Sequence, residues 1–243
     1  MGIIQYQKKE DLQYVQLAGG IERAEMLPDR VAGVHTYKCR VKAGQTVELE
    51  TFAETTTLYF FTAGKGYVTT KAKAFNIAEP SLFVPELSPA SQRLHAATDM
   101  EFLQLTCDMI DEDKELWSHW HIKLPYFLAV SNCIEYTESF RPEAIHSYSI
   151  LDSHWVTRMT MGAVIGEGPN KAEPHEHHNL YQWYYGMPGT KFTYTAGDET
   201  IVLQEGDFAF IPTNILHAIE IDPGETVNYV WFEIEVPKAE LNQ

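Results

Sequence analysis

The sequence has little of several features that would mark particular classes of protein. Lys and Arg number 18 against 34 Asp and Glu, and the formal net charge of −16 disfavours binding to nucleic acid or anionic membranes. No run approaches the ~20 apolar residues of a membrane span, and residues 1–14 lack the apolar core of a signal peptide. We therefore expect a cytoplasmic protein that acts on a small-molecule substrate, without nucleic-acid or membrane partners.

Cysteine is also scarce. The three cysteines, Cys39, Cys107 and Cys133, are widely separated, so they form neither a disulfide framework nor a CxxC motif. Free cysteine usually packs like a small hydrophobic residue, and buried thiols are expected at all three positions. Any chemistry must come from other side chains.

Most of the chain has the pattern of short β-strands. Segments rich in Val, Thr, Tyr and Phe, bounded by Gly, Pro and Asn, recur through 34–109 and again through 145–236. Residues 111–122 interrupt them with an acidic start followed by Leu and Trp at helical spacing, which predicts a short amphipathic helix. The pattern indicates an all-β protein with a short helical connection.

The second half of the chain repeats the rhythm of the first. An offset of 122 residues lays Leu180 over Leu58 and His217 over His95, as a diverged tandem duplication would. We therefore predict an N-terminal lobe over 1–109, a linker with a short helix over 110–144, and a C-terminal lobe over 145–243.

The chemistry-bearing residues lie in the second half. His175 and His177 are two positions apart, so on an extended chain both side chains point to the same side. Gln182 follows five positions later on a predicted strand, and His217 comes five residues after Pro212. A neighbouring antiparallel strand can bring His217 to the same cavity. We predict that these four side chains bind one divalent metal ion.

These residues resemble the two motifs of the cupin superfamily, G(x)₅HxH(x)₃₋₄E(x)₆G and G(x)₅PxG(x)₂H(x)₃N. In the first motif, His175, His177 and Gly189 match; Gly168 stands one residue too early and Gln182 replaces the glutamate. In the second motif, three residues match, Gly206, Pro212 and His217, whereas Asn214 and Ile221 replace glycine and asparagine. The resemblance implies a double-stranded β-helix, or jelly roll, and with the repeat it implies two tandem cupin barrels and a homodimer.

The first lobe lacks the ligand set in this register. Ala53, Thr55 and Phe60 stand opposite His175, His177 and Gln182, and only His217 has a counterpart, His95. One histidine cannot form a four-ligand site, so we expect the N-terminal lobe to lack a complete metal site.

Gln182 affects the chemistry expected of the site. Because an amide oxygen is neutral, Mn, Zn, Ni or Fe held by these ligands would keep its full +2 charge and act as a Lewis acid on a sugar acid or keto acid, in isomerisation, tautomerisation or elimination. Tyr184 or His178 would move a proton and Arg158 would anchor the substrate anion. Two alternatives stay open, an Fe(II) dioxygenase and a non-catalytic protein that binds metal or small molecules.

Overall fold

A computed structural model describes residues 2–87 and 91–241. It divides into two compact units. The N-terminal unit comprises residues 12–133 and 155–157, apart from 88–90, and the C-terminal unit comprises residues 2–11, 134–154 and 158–241. The predicted linker is therefore shared between the two units, and the start of the chain lies in the C-terminal unit.

Strands dominate both units. The first half contains β1 (Gln5–Gln7), β2 (Val15–Gln16), β3 (Glu22–Glu25), β4 (Val34–Val41), β5 (Thr46–Glu48), β6 (Thr55–Ala63), β7 (Gly66–Thr69), β8 (Ala74–Ile77), β9 (Ser81–Val84), β10 (Arg93–Ala96) and β11 (Met100–Asp108). The second contains β12 (Tyr126–Ala129), β13 (Ile134–Tyr136), β14 (Ile145–Leu151), β15 (Met159–Glu167), β16 (Asn170–His175), β17 (Leu180–Gly186), β18 (Lys191–Ala196), β19 (Glu199–Gln204), β20 (Phe208–Ile211), β21 (His217–Ile221) and β22 (Thr226–Glu235).

Helices are few and short. The helix predicted over 111–122 is present as α1 (Asp111–His119). The three acidic residues in its first turn stabilise the helix, because their negative charges lie at the positive end of the helix dipole. Near the end of the chain lies α2 (Lys238–Leu241), and two 3₁₀ turns occupy Lys9–Asp11 and Val130–Asn132. The all-β expectation is thus confirmed.

Both units have the same strand order except for one edge strand, which comes from after the other strands in the N-terminal unit (β12) and from before them in the C-terminal unit (β1). The N-terminal unit has a seven-stranded sheet, β12-β9-β6-β11-β4-β3-β2, and a four-stranded sheet, β5-β10-β7-β8. The C-terminal unit has a seven-stranded sheet, β1-β20-β17-β22-β15-β14-β13, and a four-stranded sheet, β16-β21-β18-β19. Alternate side chains from the two sheets of each unit form one apolar core.

The two closed barrels expected from the sequence are not seen as closed hydrogen-bonded barrels in the described residues. Within the described residues, the hydrogen-bonded strands of each unit form two open sheets, and the pairing does not run from one sheet into the other. The interior is enclosed by the packing of the two sheets, because apolar side chains from both faces meet there. The described fold is cupin-like without a continuous barrel ladder.

Strand pairing corrects the register of the duplication. In the C-terminal unit Gln182 pairs with Glu233 on β22, and in the N-terminal unit Tyr59 pairs with Gln104 on β11. Tyr59 is a core residue, so its neighbour Phe60 faces the other side of the sheet. Phe60, which an offset of 122 places opposite Gln182, therefore faces away from the core, and the inward positions on either side of it are Tyr59 and Phe61. A shift of one residue reverses which side chains face the interior.

His95 also lies outside the interior. It alternates with the core residues Leu94 and Ala96, and its ring stacks on Tyr67 with centroids 4.5 Å apart. Its two ring nitrogens contact the hydroxyls of Thr46 and Thr69 at 3.0 and 2.9 Å. His95 is therefore not the spatial counterpart of His217, because it projects from the opposite face of its strand.

The start of the chain is tied to the C-terminal unit by Asp207. This buried carboxylate accepts hydrogen bonds from the Tyr6 hydroxyl, the Lys9 backbone N–H at 3.1 Å and the Gln204 backbone N–H at 3.0 Å. Replacing it with alanine removes the acceptor of two backbone N–H groups, and leaves the Tyr6 hydroxyl only the Val202 carbonyl oxygen at 3.2 Å. We expect Asp207→Ala to lower the free energy of unfolding by about 2–4 kcal/mol in urea denaturation.

The exposed Asp198 provides the matched control. Asp198→Ala is expected to change the free energy of unfolding by less than about 0.5 kcal/mol. Equal losses in the two variants would show that Asp207 does not anchor the first residues.

Candidate metal centre

Three histidines converge at one end of the C-terminal core. His175 ends β16 and pairs directly with His217, the first residue of β21, while His177 lies two residues beyond the end of β16. One ring nitrogen from each histidine lies within 4.8 Å of the others. The structure therefore brings together the three imidazoles that the sequence spacing predicted.

Backbone carbonyls orient two of these imidazoles. The Nδ1 atom of His175 lies 3.1 Å from the carbonyl oxygen of Glu173, and that of His217 lies 2.9 Å from the carbonyl oxygen of Ile215. Because a carbonyl only accepts hydrogen bonds, each Nδ1 carries the hydrogen. The lone pair of each ring is then on Nε2, where a metal ion can bind.

Gln182 lies beside the histidines on β17. It is buried and its amide is fixed at both ends: Nε2 donates to Glu233 Oε1, and Oε1 accepts a hydrogen bond of 3.0 Å from the Tyr184 hydroxyl. That hydroxyl is also 3.3 Å from His217 Nε2. The amide oxygen therefore belongs to the same polar cluster as the imidazoles.

These side chains border a cavity of about 90 Å³. Its lining comprises Tyr136, Glu138, Phe140, Arg141, Ala172, His175, His177, Gln182, Tyr184, Tyr194, His217, Ile219, Tyr229, Trp231 and Glu233. All belong to the C-terminal unit. A polar, partly enclosed space next to three imidazoles is suited to bind a small molecule against a metal ion.

The segment between β13 and β14 covers part of this cavity. The Phe140 ring stacks on His175, with centroids 3.6 Å apart, and its carbonyl accepts a 2.7 Å hydrogen bond from the Glu173 backbone N–H. The guanidinium of Arg141 donates to the Ser147 hydroxyl and, at 3.5 Å, to the Tyr229 hydroxyl. Its buried Nε has no hydrogen-bond partner. A segment predicted as linker thus contributes a cation to the site.

The three residues predicted to act on the substrate occupy different surroundings. Tyr184 lines the cavity, as its strand parity indicated. His178 is exposed and its Nδ1 lies 3.0 Å from Asn214 Oδ1, while Arg158 is buried with Nη1 3.4 Å from the Glu235 carbonyl oxygen. Neither His178 nor Arg158 is among the residues that line the cavity. Arg141 stands where an anchor for an anion was expected.

Burial keeps the imidazoles neutral. It lowers the pKa of His217 to about 3 and that of His175 to about 4, with repulsion from neighbouring imidazoles and Arg141 adding to the effect. Burial also lowers the pKa of His177. Neutral imidazole is the form that binds metal, so all three rings are ready to act as ligands at neutral pH.

Burial affects two further groups in the opposite direction. It raises the pKa of Glu233 to about 7, although the hydrogen bond from Gln182 opposes the change. It also raises the pKa of Tyr184 well above its usual range. The raised pKa favours the phenol form of Tyr184, which is the form that donates a hydrogen bond.

These shifts predict acid sensitivity of the metal-free protein. Since the folded-state pKa values of His175 and His217 lie below the ordinary ~6.5, the unfolded chain takes up protons first as pH falls. We expect the free energy of unfolding to decrease below pH ~6.5, by up to about 1.4 kcal/mol per pH unit for each imidazole. Thermal melts in EDTA between pH 7.5 and 4.5 measure this.

The double variant His175→Gln/His217→Gln is the control. It lacks both titrating rings, so its melting temperature should fall less steeply over the same pH range. Parallel curves for the two proteins would assign the acid sensitivity to other groups.

Glu233, Phe140 and Arg141 are site residues that the sequence patterns did not indicate. On β22, Glu233 alternates with Val227, Tyr229 and Trp231, which pack in the core. A charged residue at such an inward position of an apolar strand could have marked Glu233 as a candidate site residue in the sequence. Phe140 and Arg141 carried no such signal, because they lie in an irregular segment whose position depends on tertiary contacts.

The donor set fits a divalent transition metal. Imidazole nitrogen suits Zn, Cu, Fe and Ni, and a neutral amide oxygen can complete a four-ligand set. One nitrogen of each neutral ring lies within 4.8 Å of the other two, which is close enough for one cation to contact all three. His175, His177, His217 and Gln182 would hold the ion.

Comparisons with known proteins agree with this architecture. Residues 163–233 match the cupin domain family, and this stretch contains the three histidines, Gln182 and Glu233. Sequence comparison with curated proteins gives no match. The chain is thus similar to cupins over the region that carries the candidate metal centre.

Solved structures resemble nearly the whole chain. A Pseudomonas aeruginosa protein described as glyoxylate-induced has a TM-score of 0.80 at 12% identity, covering 96% of this chain and 88% of that one. Ylba from E. coli has a TM-score of 0.75 at 12% identity, covering 96% and 91%. Oxalate decarboxylase from Lactobacillus farciminis, in a formate complex, has a TM-score of 0.73 at 13% identity, covering 96% and 86%. At these identities the similarity concerns the fold. No helix of the described residues is long and apolar enough to cross a membrane.

Proposed function

We propose that the C-terminal unit is a metal-dependent enzyme that acts on a small carboxylic acid, of the keto-acid or hydroxy-acid class. One observation carries this proposal: three neutral imidazoles converge in the same cavity as the guanidinium of Arg141. A metal ion and a fixed cation side by side favour a substrate that has a carboxylate next to another oxygen.

The chain's own residues have distinct roles in this proposal. The metal, when bound by His175, His177, His217 and Gln182, supplies a Lewis acid for a substrate oxygen. Arg141 binds the substrate carboxylate through N–H groups not used by Ser147 and Tyr229. Tyr184 donates a hydrogen bond beside the ligands and can give a proton to oxygen. Phe140 shields His175 from water.

The size of the cavity narrows the substrate class. At about 90 Å³, the cavity is several times smaller than the pockets that bind drug-sized ligands. Drug-sized ligands occupy ~300–1,000 Å³. The proposal therefore favours acids of a few carbon atoms over hexuronates, for isomerisation, tautomerisation or elimination.

The test combines metal analysis with turnover. Elemental analysis of the purified protein should find close to one Mn, Zn, Ni or Fe per chain. A panel of small keto and hydroxy acids, with uronates for comparison, is then followed by proton NMR, while an oxygen electrode records O₂ uptake. The proposal expects conversion of a small acid without O₂ consumption; substrate-dependent O₂ uptake would favour the dioxygenase alternative, and no conversion across the panel would contradict an enzyme.

The organisation of the chain is part of the same proposal. Apart from one edge strand, the strand order of the two units is the same, which supports a duplicated cupin, or bicupin, in which one half retained the metal site. The inward residues Tyr59 and Phe61 of β6 offer neither an amide nor an imidazole, which supports an N-terminal unit without this site. Homodimerisation stays a prediction, and a monomeric mass in light scattering would contradict it.

A further inference from the structure

The amide of Gln182 has two ends, and only one can bind a metal ion. The oxygen is a ligand, whereas the NH₂ group is a donor without a free lone pair. In the structure Nε2 donates to Glu233 Oε1, and the oxygen accepts from Tyr184. If the amide were reversed, two oxygens would face each other at Glu233. The carboxyl group of Glu233 therefore determines which end of Gln182 faces the imidazoles.

The contact between the two side chains is set by the sheet. Gln182 on β17 and Glu233 on β22 are direct cross-strand partners, and their exposed fractions are 4% and 8%. Side chains of directly paired residues lie close together on one face of the sheet. Glu233 also lines the cavity. A carboxylate placed there is one hydrogen bond behind the proposed ligand.

The N-terminal unit shows that the fold does not require this pair. There the inward residues Tyr59 and Phe61 of β6 pair with Gln104 and Phe102 of β11, so neither position carries an amide paired with a glutamate. The Tyr59 hydroxyl donates to the Glu50 carbonyl oxygen at 2.6 Å and does not depend on a carboxylate partner. Among the described residues, the unit without a histidine cluster also lacks the glutamate, which links Glu233 to the metal centre and not to the architecture.

From these contacts we infer that Glu233 is a positioning residue that turns the Gln182 oxygen toward the metal by accepting the hydrogen bond of Gln182 Nε2. The inference rests on the proposed function only in requiring a metal ion at the three imidazoles. A hydrogen bond from Nε2 to a carboxylate also increases electron density on the amide oxygen, which strengthens it as a ligand.

Titration of the metal-free protein with Co²⁺ tests this inference. Calorimetry gives the affinity, and the visible absorption of bound Co²⁺ reports its ligands. Glu233→Gln keeps the shape but removes the charge and the fixed acceptor, so we expect binding about 10- to 100-fold weaker and a changed spectrum. The exchange variant Gln182→Glu/Glu233→Gln restores a carboxylate and amide pair in the opposite order, and its affinity should return at least to that of the unaltered protein.

Glu220→Gln is the matched control, since Glu220 lies on β21 with His217 but is exposed and does not line the cavity. Its Co²⁺ affinity should equal that of the unaltered protein within the error of the titration. If Glu233→Gln folds, by circular dichroism, and binds Co²⁺ unchanged, the inference is wrong. If that variant does not fold, the exchange variant decides, because it keeps the paired groups, and weak binding there overturns the inference. Absence of Co²⁺ binding in the unaltered protein overturns the proposed metal site as well.

Discussion

His217→Ala is expected to abolish metal binding by the C-terminal unit. The change removes the most buried of the three imidazoles, leaving two ring nitrogens and an amide oxygen, and we expect affinity for Zn²⁺ or Co²⁺ to fall by more than about 100-fold. Turnover of any small acid should fall with it. Equilibrium dialysis followed by elemental analysis measures the bound metal.

His178→Ala tests whether a histidine that is merely adjacent to the proposed ligands contributes to metal binding. His178 follows His177 directly, but it is exposed and contacts Asn214. We expect this variant to retain its metal. Loss of turnover with metal retained would support the proton-transfer role predicted for His178 from sequence, while unchanged turnover would assign that role elsewhere. Retention of metal by His217→Ala would contradict the proposed centre.

Arg141→Met is expected to weaken binding of a small carboxylate without releasing the metal. A charged hydrogen bond contributes about 1.5–3 kcal/mol, so loss of the paired contact with a carboxylate should raise the Kd for pyruvate by about 100-fold. Arg141→Lys keeps the charge but not the two-pronged geometry, and we expect about a tenfold loss. Calorimetric titration of the metal-loaded protein with pyruvate provides both values.

Arg158→Lys is the control for this effect. Arg158 is buried but is not among the cavity-lining residues. Its conservative variant should bind pyruvate with unchanged affinity, although some loss of stability is expected from its contact with the Glu235 carbonyl. If Arg158→Lys weakens pyruvate binding more than Arg141→Met does, the anion anchor is Arg158, the residue that the sequence pattern indicates.

Local patterns in the sequence predict the parts of the site that depend on local geometry. Spacing alone groups the three imidazoles. His175 and His177 are two residues apart, and His217 follows Pro212 at the cupin-like distance, so that two neighbouring strands bring the three rings together. The alternation of β17 places Tyr184 on the same side as Gln182 for the same reason. The predicted alignment of the two halves was wrong by one residue on this strand. An error of this size changes few sequence matches, so the sequence does not reveal it, although it reverses the side of the sheet that every side chain faces.

By itself, the sequence determined the all-β class, the short helix and the identity of four candidate ligands, since strand periodicity and motif spacing are short-range properties of the chain. Tertiary structure decided which cation and which carboxylate join them. Arg141 lies at the cavity because of the path of an irregular segment. Glu233 lies there because β22 pairs with β17, which brings it into contact with Gln182, 51 residues away in the sequence. Such contacts depend on how distant segments pack and pair, so the alternation of β22 can mark Glu233 as inward-facing but cannot identify Gln182 as its partner.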